Sequence, residues 1–339
     1  MGKPIERHFL SKIEKASHGL RRNRNKRIFT AVRYISPEDI TIENYIRKRP
    51  IALFNPGAFE NHGKLYIFPR LVFDYYNYTS SIGMFSLDFK ELESVSPMKC
   101  DILLWPDHLW EFLGCEDPRI HFSKSKIRIL YTGKGYYYDG DTKRRRDVLS
   151  LAEMDENFNL IRKTFFKIRY ENAAFIPEYM KDSAFISSAS GFTILTRPEF
   201  GGIKACWRGK VDLENAELSE MELVMKPEEW EERVGWSTNA VKISSDEYLV
   251  GWHAVLKSDL SYRNGIAKVN SHGELLAISD YLLFPNGLVE EYGDRAQVIF
   301  GDGLILYEDT LFWIGGISDY AIGIFSAKLS DVLDELREI

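Results

Sequence analysis

The densest cluster of polar side chains in the sequence is Gly114-Cys-Glu-Asp-Pro-Arg-Ile120. Two carboxylates and a guanidinium stand here at the head of a run that reads as a strand, and burying them is costly unless they pair or meet a ligand. An Asp/Arg pair that closes a sheet and a catalytic acid both meet that requirement. Three basic residues elsewhere, Arg197, Arg233 and His253, weigh on the choice. If the fold gathers them, their charges repel one another unless an anion joins them, and a phosphate or carboxylated ligand resolves the conflict.

What would gather them is a strand pattern that occurs five times, as Leu65-Tyr-Ile-Phe-Pro-Arg70, Ile127-Arg-Ile-Leu-Tyr-Thr-Gly-Lys134, Phe192-Thr-Ile-Leu-Thr-Arg197, Tyr248-Leu-Val-Gly-Trp-His253 and Leu311-Phe-Trp-Ile-Gly-Gly-Ile-Ser-Asp319. The starts lie 62, 65, 56 and 63 residues apart, a spacing that suits one four-stranded propeller blade with long connections. A strand with a short polar residue near its start precedes each copy: Asn55-Pro-Gly, Asp117-Pro-Arg, Asn172-Ala-Ala, Asn239-Ala-Val and, more loosely, Asp294-Arg-Ala. A third strand follows each copy, at Gly83-Met-Phe-Ser-Leu, Leu149-Ser-Leu-Ala, Cys206-Trp-Arg, Ile266-Ala-Lys-Val and Ile322-Gly-Ile-Phe-Ser. The expected fold is all-β, a five-bladed propeller with a short N-terminal extension (1–50) and a catalytic domain (51–339) that ends in a helix. Inner strands run beside the central axis, so Arg70, Asp117, Arg197, His253 and Asp319 are expected around one funnel. On a strand of period two, Glu116 is expected to point away from Asp117.

With 339 residues and 45% hydrophobic content the chain can fill such a core. A net charge of −6 argues against a nucleic-acid binder. The basic run Arg21-Arg-Asn-Arg-Asn-Lys-Arg27 is expected to be a solvated segment. Cys100, Cys115 and Cys206 have neither disulfide nor zinc spacing and read as free thiols. No secretory or bilayer-spanning stretch is seen, so a cytoplasmic protein without a membrane partner is expected. Helices are expected near Phe9–Lys15 and, capped by Ser330, over the tail. Lys143-Arg-Arg-Arg-Asp147 after Tyr136-Tyr-Tyr-Asp-Gly-Asp141 reads as a hairpin tip, and 214–233 as a connection between blades.

These residues resemble glycoside hydrolase family 130, five-bladed propellers that act mainly on β-mannosides, most of them inverting phosphorylases and a smaller group hydrolases. Asn55-Pro, Arg70, Glu116-Asp-Pro-Arg119, Thr196-Arg-Pro198, Trp252-His253, Tyr292-Gly-Asp-Arg295 and Gly315-Gly-Ile-Ser-Asp319 match family blocks in order. The resemblance makes Asp117 the general acid, Asn55, Arg70 and Asp319 sugar-binding, and Arg197 and His253 phosphate-binding. Arg233 replaces the usual Lys and keeps its charge. Two departures stand out. Glu171, in Tyr170-Glu-Asn-Ala-Ala174, occupies a place where the family puts a further basic phosphate ligand, with Arg169 two residues away, and Trp-His-Ala replaces the usual His-Gly.

The two chemistries need different residues. An inverting hydrolase needs an acid and a carboxylate base roughly 6.5–9.5 Å apart, whereas a phosphorylase needs the acid alone, since phosphate arrives already charged. The expected reaction is phosphorolysis of short β-mannosides to α-mannose 1-phosphate, with inorganic phosphate as co-substrate and no metal or organic cofactor. The alternatives are an inverting β-mannosidase using Asp117 with Glu171 as base, and a non-catalytic carbohydrate-binding propeller. A homo-oligomer is compatible with either.

Overall fold

The apolar and aromatic runs form strands that pair with their neighbours in sequence, giving a predominantly β structure. The computed structural model describes residues 3–92, 97–123, 126–188 and 191–339. Among these residues there are five sheets. Each is built on an antiparallel meander whose second strand is one of the five repeated copies, Lys64–Val72, Lys126–Asp139, Gly191–Phe200, Glu247–Leu256 and Thr310–Ile317, and the first and third each add a parallel edge pairing. The first strands are Ala52–Asn61, Gly114–Ser123, Met180–Ser188, Glu231–Lys242 and Ile299–Tyr307. Each of these packs against the first strand of the next sheet, and the last packs against the first, so the five form a ring.

Five apolar clusters fill the wedges between adjacent sheets. Ile67 of the first sheet meets Ile314 and Ile322 of the fifth, Phe59 meets Ile120 and Ile129, and Leu151 meets Phe185 and Ile194. Trp236 and Trp252 pack on Ile186 and Leu195, and Leu249 on Trp313. Because each wedge joins residues far apart in sequence, the sheets hold one another in place around the axis.

Residues 1–50 are not simply an extension. Thr30–Ile35 pairs antiparallel with Ala321–Lys328 and supplies the outer strand of the fifth sheet, while Ile40–Ile42 pairs parallel with Met98–Leu104 at the edge of the first. The helix Lys3–Lys15 buries Phe9, stacked on Phe200 at 4.3 Å, and Ile13 against the third sheet. The basic run between them is exposed over residues 22–26, as expected of a solvated segment, but its two ends are tied to the sheets. Arg21 is 1% exposed, and its Nε and Nη2 donate to Glu231 at 3.1 and 2.5 Å, and Arg27 forks onto Glu290 at 2.6 and 2.7 Å.

Other expectations meet the structure in detail. The hairpin turn falls at 140–141, between Lys126–Asp139 and Thr142–Met154, so that Lys143–Asp147 lies in the returning strand and not at the tip. The segment 214–233 is more than a connection, because Glu217–Met225 is the fourth strand of the third sheet. The C-terminal helix is Leu329–Asp334, with Lys328 rather than Ser330 at its N-cap. All three cysteines are free and buried.

Candidate active site

Each of the five first strands slips register against its partner near the same level: between Phe54 and Gly57, Glu116 and Arg119, Lys181 and Ala184, Trp236 and Ala240, and Gly301 and Gly303, with a second slip in the fourth strand between Glu231 and Arg233. Such bulges add a residue to one strand and re-aim its side chains, and they recur beside active sites. Asn55, Asp117 and Asp182 sit in three of them at φ 44°, 54° and 52°. Asn and Asp tolerate this left-handed backbone better than most residues. The repeated polar position is therefore real, but two of its members differ from those expected. Asp182, not Asn172, stands in the third sheet, and Asp302, not Asp294, in the fifth. Asn172 and Glu171 instead form the turn between Lys167–Tyr170 and Ala173–Phe175. Asn239 lies in the fourth slip, but its amide bonds the Leu304 backbone.

Above the bulges is a cavity of about 300 Å³. Every expected site residue except Glu171 lines it: Asn55, Arg70, Asp117 and Asp319 in one group, Arg197, Arg233 and His253 in another. Glu171 is exposed on its turn and takes no part, and Arg169 beside it is forked onto Glu217. The residue just ahead of the third bulge is Lys181, so a cation does occupy that place. It pairs with Asp147 at 2.6 Å and lies 3.8 Å from Glu116.

In the first group, Asp117 takes both of its bonds on Oδ1, from Asn55 Nδ2 at 2.9 Å and Arg70 Nη1 at 3.3 Å. Arg70 also donates through Nη2 to Glu116 at 2.9 Å and through Nε to Ser80 Oγ at 3.1 Å, over the face of Phe54. Glu116 does not point away, because the bulge turns both neighbouring carboxylates toward the cavity. The two are still not interchangeable. Burial raises the Glu116 pKa, but Arg70, Lys181 and Lys134 outweigh it and hold the group at about 2, so it stays ionised and cannot donate a proton near neutrality. Asp319 occupies the hairpin turn after the fifth repeated strand, at φ 51° beside Ser318 at 49°.

The second group is organised by Asp182. Its Oδ2 pairs with Arg197 Nε and lies 3.8 Å from His253 Nε2, while Oδ1 accepts from Arg119 Nη2 at 3.3 Å. Burial pushes His253 down to about 3, against the pull of Asp182, so it is a neutral hydrogen-bonding group and not a third charge. Its Nδ1 shares a 2.9 Å bond with Ser237 Oγ. Arg233 donates to Tyr262 OH at 3.1 Å, and Arg295 stands over the same ring at 5.2 Å. Among the described residues, neither guanidinium has a carboxylate within ion-pair distance. The backbone must come close here, and Gly235 allows it: a Cβ there would lie 2.6 Å from His253 Cε1 and 2.7 Å from Asp182 Oδ2. Gly235 faces His253 across the strand pair, so the small residue stands on the facing strand, while Ala254, after the Trp-His pair, packs in the core.

Lys181, Asp182, Asp302, Tyr262 and Arg295 escaped the sequence reading. Asp182 follows a lysine without the Pro that marks Asn55 and Asp117, and Arg295 sits in a block noted only as a match. Away from the cavity, Asp107, His108 and Glu111 cluster closely, but Lys163 Nζ already bonds Asp107 at 2.8 Å and Glu111 at 2.7 Å.

A family model described as beta-1,4-mannooligosaccharide phosphorylase matches residues 19–338, and the chain belongs to that family, glycoside hydrolase family 130. It is accordingly an enzyme, a glycoside phosphorylase or a related glycoside hydrolase. No curated protein matches the sequence. Among solved structures it is similar in fold to a beta-1,2-mannobiose phosphorylase from Listeria innocua in complex with beta-1,2-mannobiose, at 16% identity, 89% of this chain, 96% of that chain and a TM-score of 0.65. A mannose phosphorylase from Leishmania mexicana in complex with phosphate ion is similar at 13% identity, 96% and 94% coverage and a TM-score of 0.61. A structure reported with family-130 glycoside hydrolases that target beta-1,2 mannosidic linkages in Candida mannan is similar at 13% identity, 94% and 96% coverage and a TM-score of 0.57. No helix among the described residues is long and apolar enough to cross a membrane.

Proposed function

We propose that the chain is an inverting phosphorylase of short β-mannosides, cytoplasmic and built as a five-bladed propeller, that releases α-mannose 1-phosphate with no cofactor beyond inorganic phosphate. The ring of five first strands supports the architecture. The observation that carries the reaction is the division of one cavity between Asp117, held with Asn55 and Arg70, and the cations Arg197 and Arg233 with neutral His253. Asp117 protonates the oxygen of the leaving sugar as its bond to the anomeric carbon breaks. Phosphate, held by Arg197, Arg233 and His253, forms the new bond from the opposite face and inverts the centre. Asn55, Arg70 and Asp319 hold the mannose being transferred. Arg295 and Lys181 add positive charge to the same cavity.

The L. innocua relative is complexed with mannobiose and the L. mexicana relative with phosphate ion, which supports a sugar and a phosphate as ligands here. The reverse reaction tests the stereochemistry. Purified enzyme given α-mannose 1-phosphate and a mannose acceptor is expected to make a β-linked disaccharide and release phosphate, and to leave the β-anomer untouched. Consumption of neither anomer contradicts the proposal.

A hydrolase would require a base in the cavity, and Glu171 is not there. Glu199 lines the cavity two residues beyond Arg197, and its Oε2, 3.6 Å from Lys204 Nζ, accepts no hydrogen bond among the described residues. Phosphate-independent release of mannose that Glu199→Gln abolishes would favour that reading.

A further inference from the structure

Beneath the cavity, a single guanidinium connects four of the five bulges. Arg119, 3% exposed, donates through Nε to the Ser237 carbonyl at 2.7 Å, through Nη1 to the Asp117 carbonyl at 2.9 Å and through Nη2 to Asp182 Oδ1 at 3.3 Å. Its Nη2 is also 2.8 Å from Asp302 Oδ1. Asn55, through its bond to the Asp117 side chain, brings in the remaining bulge. At three of the four bulges joined by Arg119, the strand carries a proposed reacting group or bonds across to a phosphate-holding group on the neighbouring strand. Asp117 is fixed through its own carbonyl at a left-handed backbone position, Asp182 grips Arg197, and Ser237 bonds His253.

We propose that Arg119 is a positioning residue that sets the acid and the phosphate-holding groups relative to one another, acting through the Asp117 carbonyl on one side and through Asp182 and Ser237 on the other. This rests on the phosphorylase reading above. Arginine suits the position because its planar fork donates in several fixed directions at once, which a lysine ammonium on the same stem does not reproduce. The two carboxylates beside it are unequal. Asp182 is tied to Arg119 and Arg197 together. Asp302 is fully buried and within ion-pair distance of Arg119, and among the described residues neither of its oxygens accepts a hydrogen bond. Burial raises Asp302 well above the usual carboxylate range, whereas Arg197 and Arg119 overcome burial at Asp182 and hold it low.

The test is a kinetic comparison of Arg119→Gln, Arg119→Lys, Asp182→Asn and Asp302→Asn, with kcat, the KM for mannobiose and the KM for phosphate measured separately and folding checked by thermal unfolding. Arg119→Gln is expected to lower kcat about 100-fold and raise the phosphate KM about 10-fold, leaving the mannobiose KM within about 3-fold, since charge-assisted bonds on both arms are lost. Arg119→Lys is expected to recover most of the phosphate KM through its charge and little of kcat, and it serves in place of Arg119→Gln should that variant not fold. Asp182→Asn should raise the phosphate KM about 10-fold more than Asp302→Asn does. Folded Arg119 variants with lowered unfolding temperature but wild-type kcat and KM values would reduce the residue to a structural one and overturn the proposal, as would equal effects of the two Asp substitutions. If the wild-type enzyme cleaves mannobiose without phosphate, the phosphorylase reading fails and the phosphate arm of the proposal with it. The acid arm is then decided by kcat for hydrolysis in Arg119→Gln, where a fall of about 100-fold supports it and an unchanged value overturns it.

Discussion

Asp319 combines burial, charge and the proposed sugar contact in one side chain. Burial pushes its carboxyl up, Arg70 and Arg295 pull it down, and Asp117 and Asp294 push again, leaving it at about 6 against an ordinary value of 3.8. The folded protein therefore holds this proton more tightly than the unfolded chain. The resulting stabilisation is present below the ordinary pKa and is lost as pH rises through about 6. Replacing the carboxylate with an amide removes that loss. Asp319→Asn is expected to gain stability relative to the wild type between pH 4 and pH 7.5, on the order of 2 kcal/mol, while weakening sugar binding. Urea unfolding of both proteins at the two pH values measures it, and a difference that does not change with pH contradicts this account. At the same scale, Glu116 shows why two adjacent carboxylates could not be ranked by strand alternation: the bulge places both at the cavity, and only their cations distinguish them.

At the scale of elements, the fourth sheet presses its first strand so closely on the phosphate group of residues that Gly235 has no room for a methyl. Gly235→Ala is expected to cost about 1–3 kcal/mol of stability and to raise the phosphate KM with little change in that for mannobiose, because Asp182 and Arg197 must move. Thermal unfolding and a phosphate titration check both, and an unchanged phosphate KM contradicts the placement. The second strands were legible in the sequence because each keeps an apolar run that ends in a polar or charged residue. Four of the five end in a residue of this cavity: Arg70, Arg197, His253 and Asp319. The bulges were legible where a Pro follows the Asn or Asp, and at Asn239 in the fourth strand. Asp182-Ser-Ala and Asp302-Gly-Leu carry no such mark, and a register slip depends on the partner strand, which local sequence does not reveal.

The whole molecule is closed by residues nearly 300 positions apart, where Thr30–Ile35 completes the sheet of Ala321–Lys328. No local pattern announces a pairing of that span, and so the first fifty residues read as an extension. Arg21 pins the segment that leads to this strand: its fork onto Glu231 is fully buried, and its guanidinium lies 5.1 Å from the Trp252 ring. Removing one partner of a buried pair strands the other, so Arg21→Ala is expected to destabilise the protein by about 3–5 kcal/mol, read as a lower urea midpoint. A shift under about 1 kcal/mol, the range of an exposed pair, contradicts the role given to this contact. The five-sheet ring exists, in the proposed account, to place a proton donor and an anion site across one cavity. The measurement that bears on this most directly is incubation of the enzyme with β-1,2- and β-1,4-linked mannobiose, with and without inorganic phosphate, and identification of the products. The account predicts α-mannose 1-phosphate and free mannose from at least one disaccharide when phosphate is present, and no cleavage when it is absent. Release of mannose alone at the same rate under both conditions would contradict it.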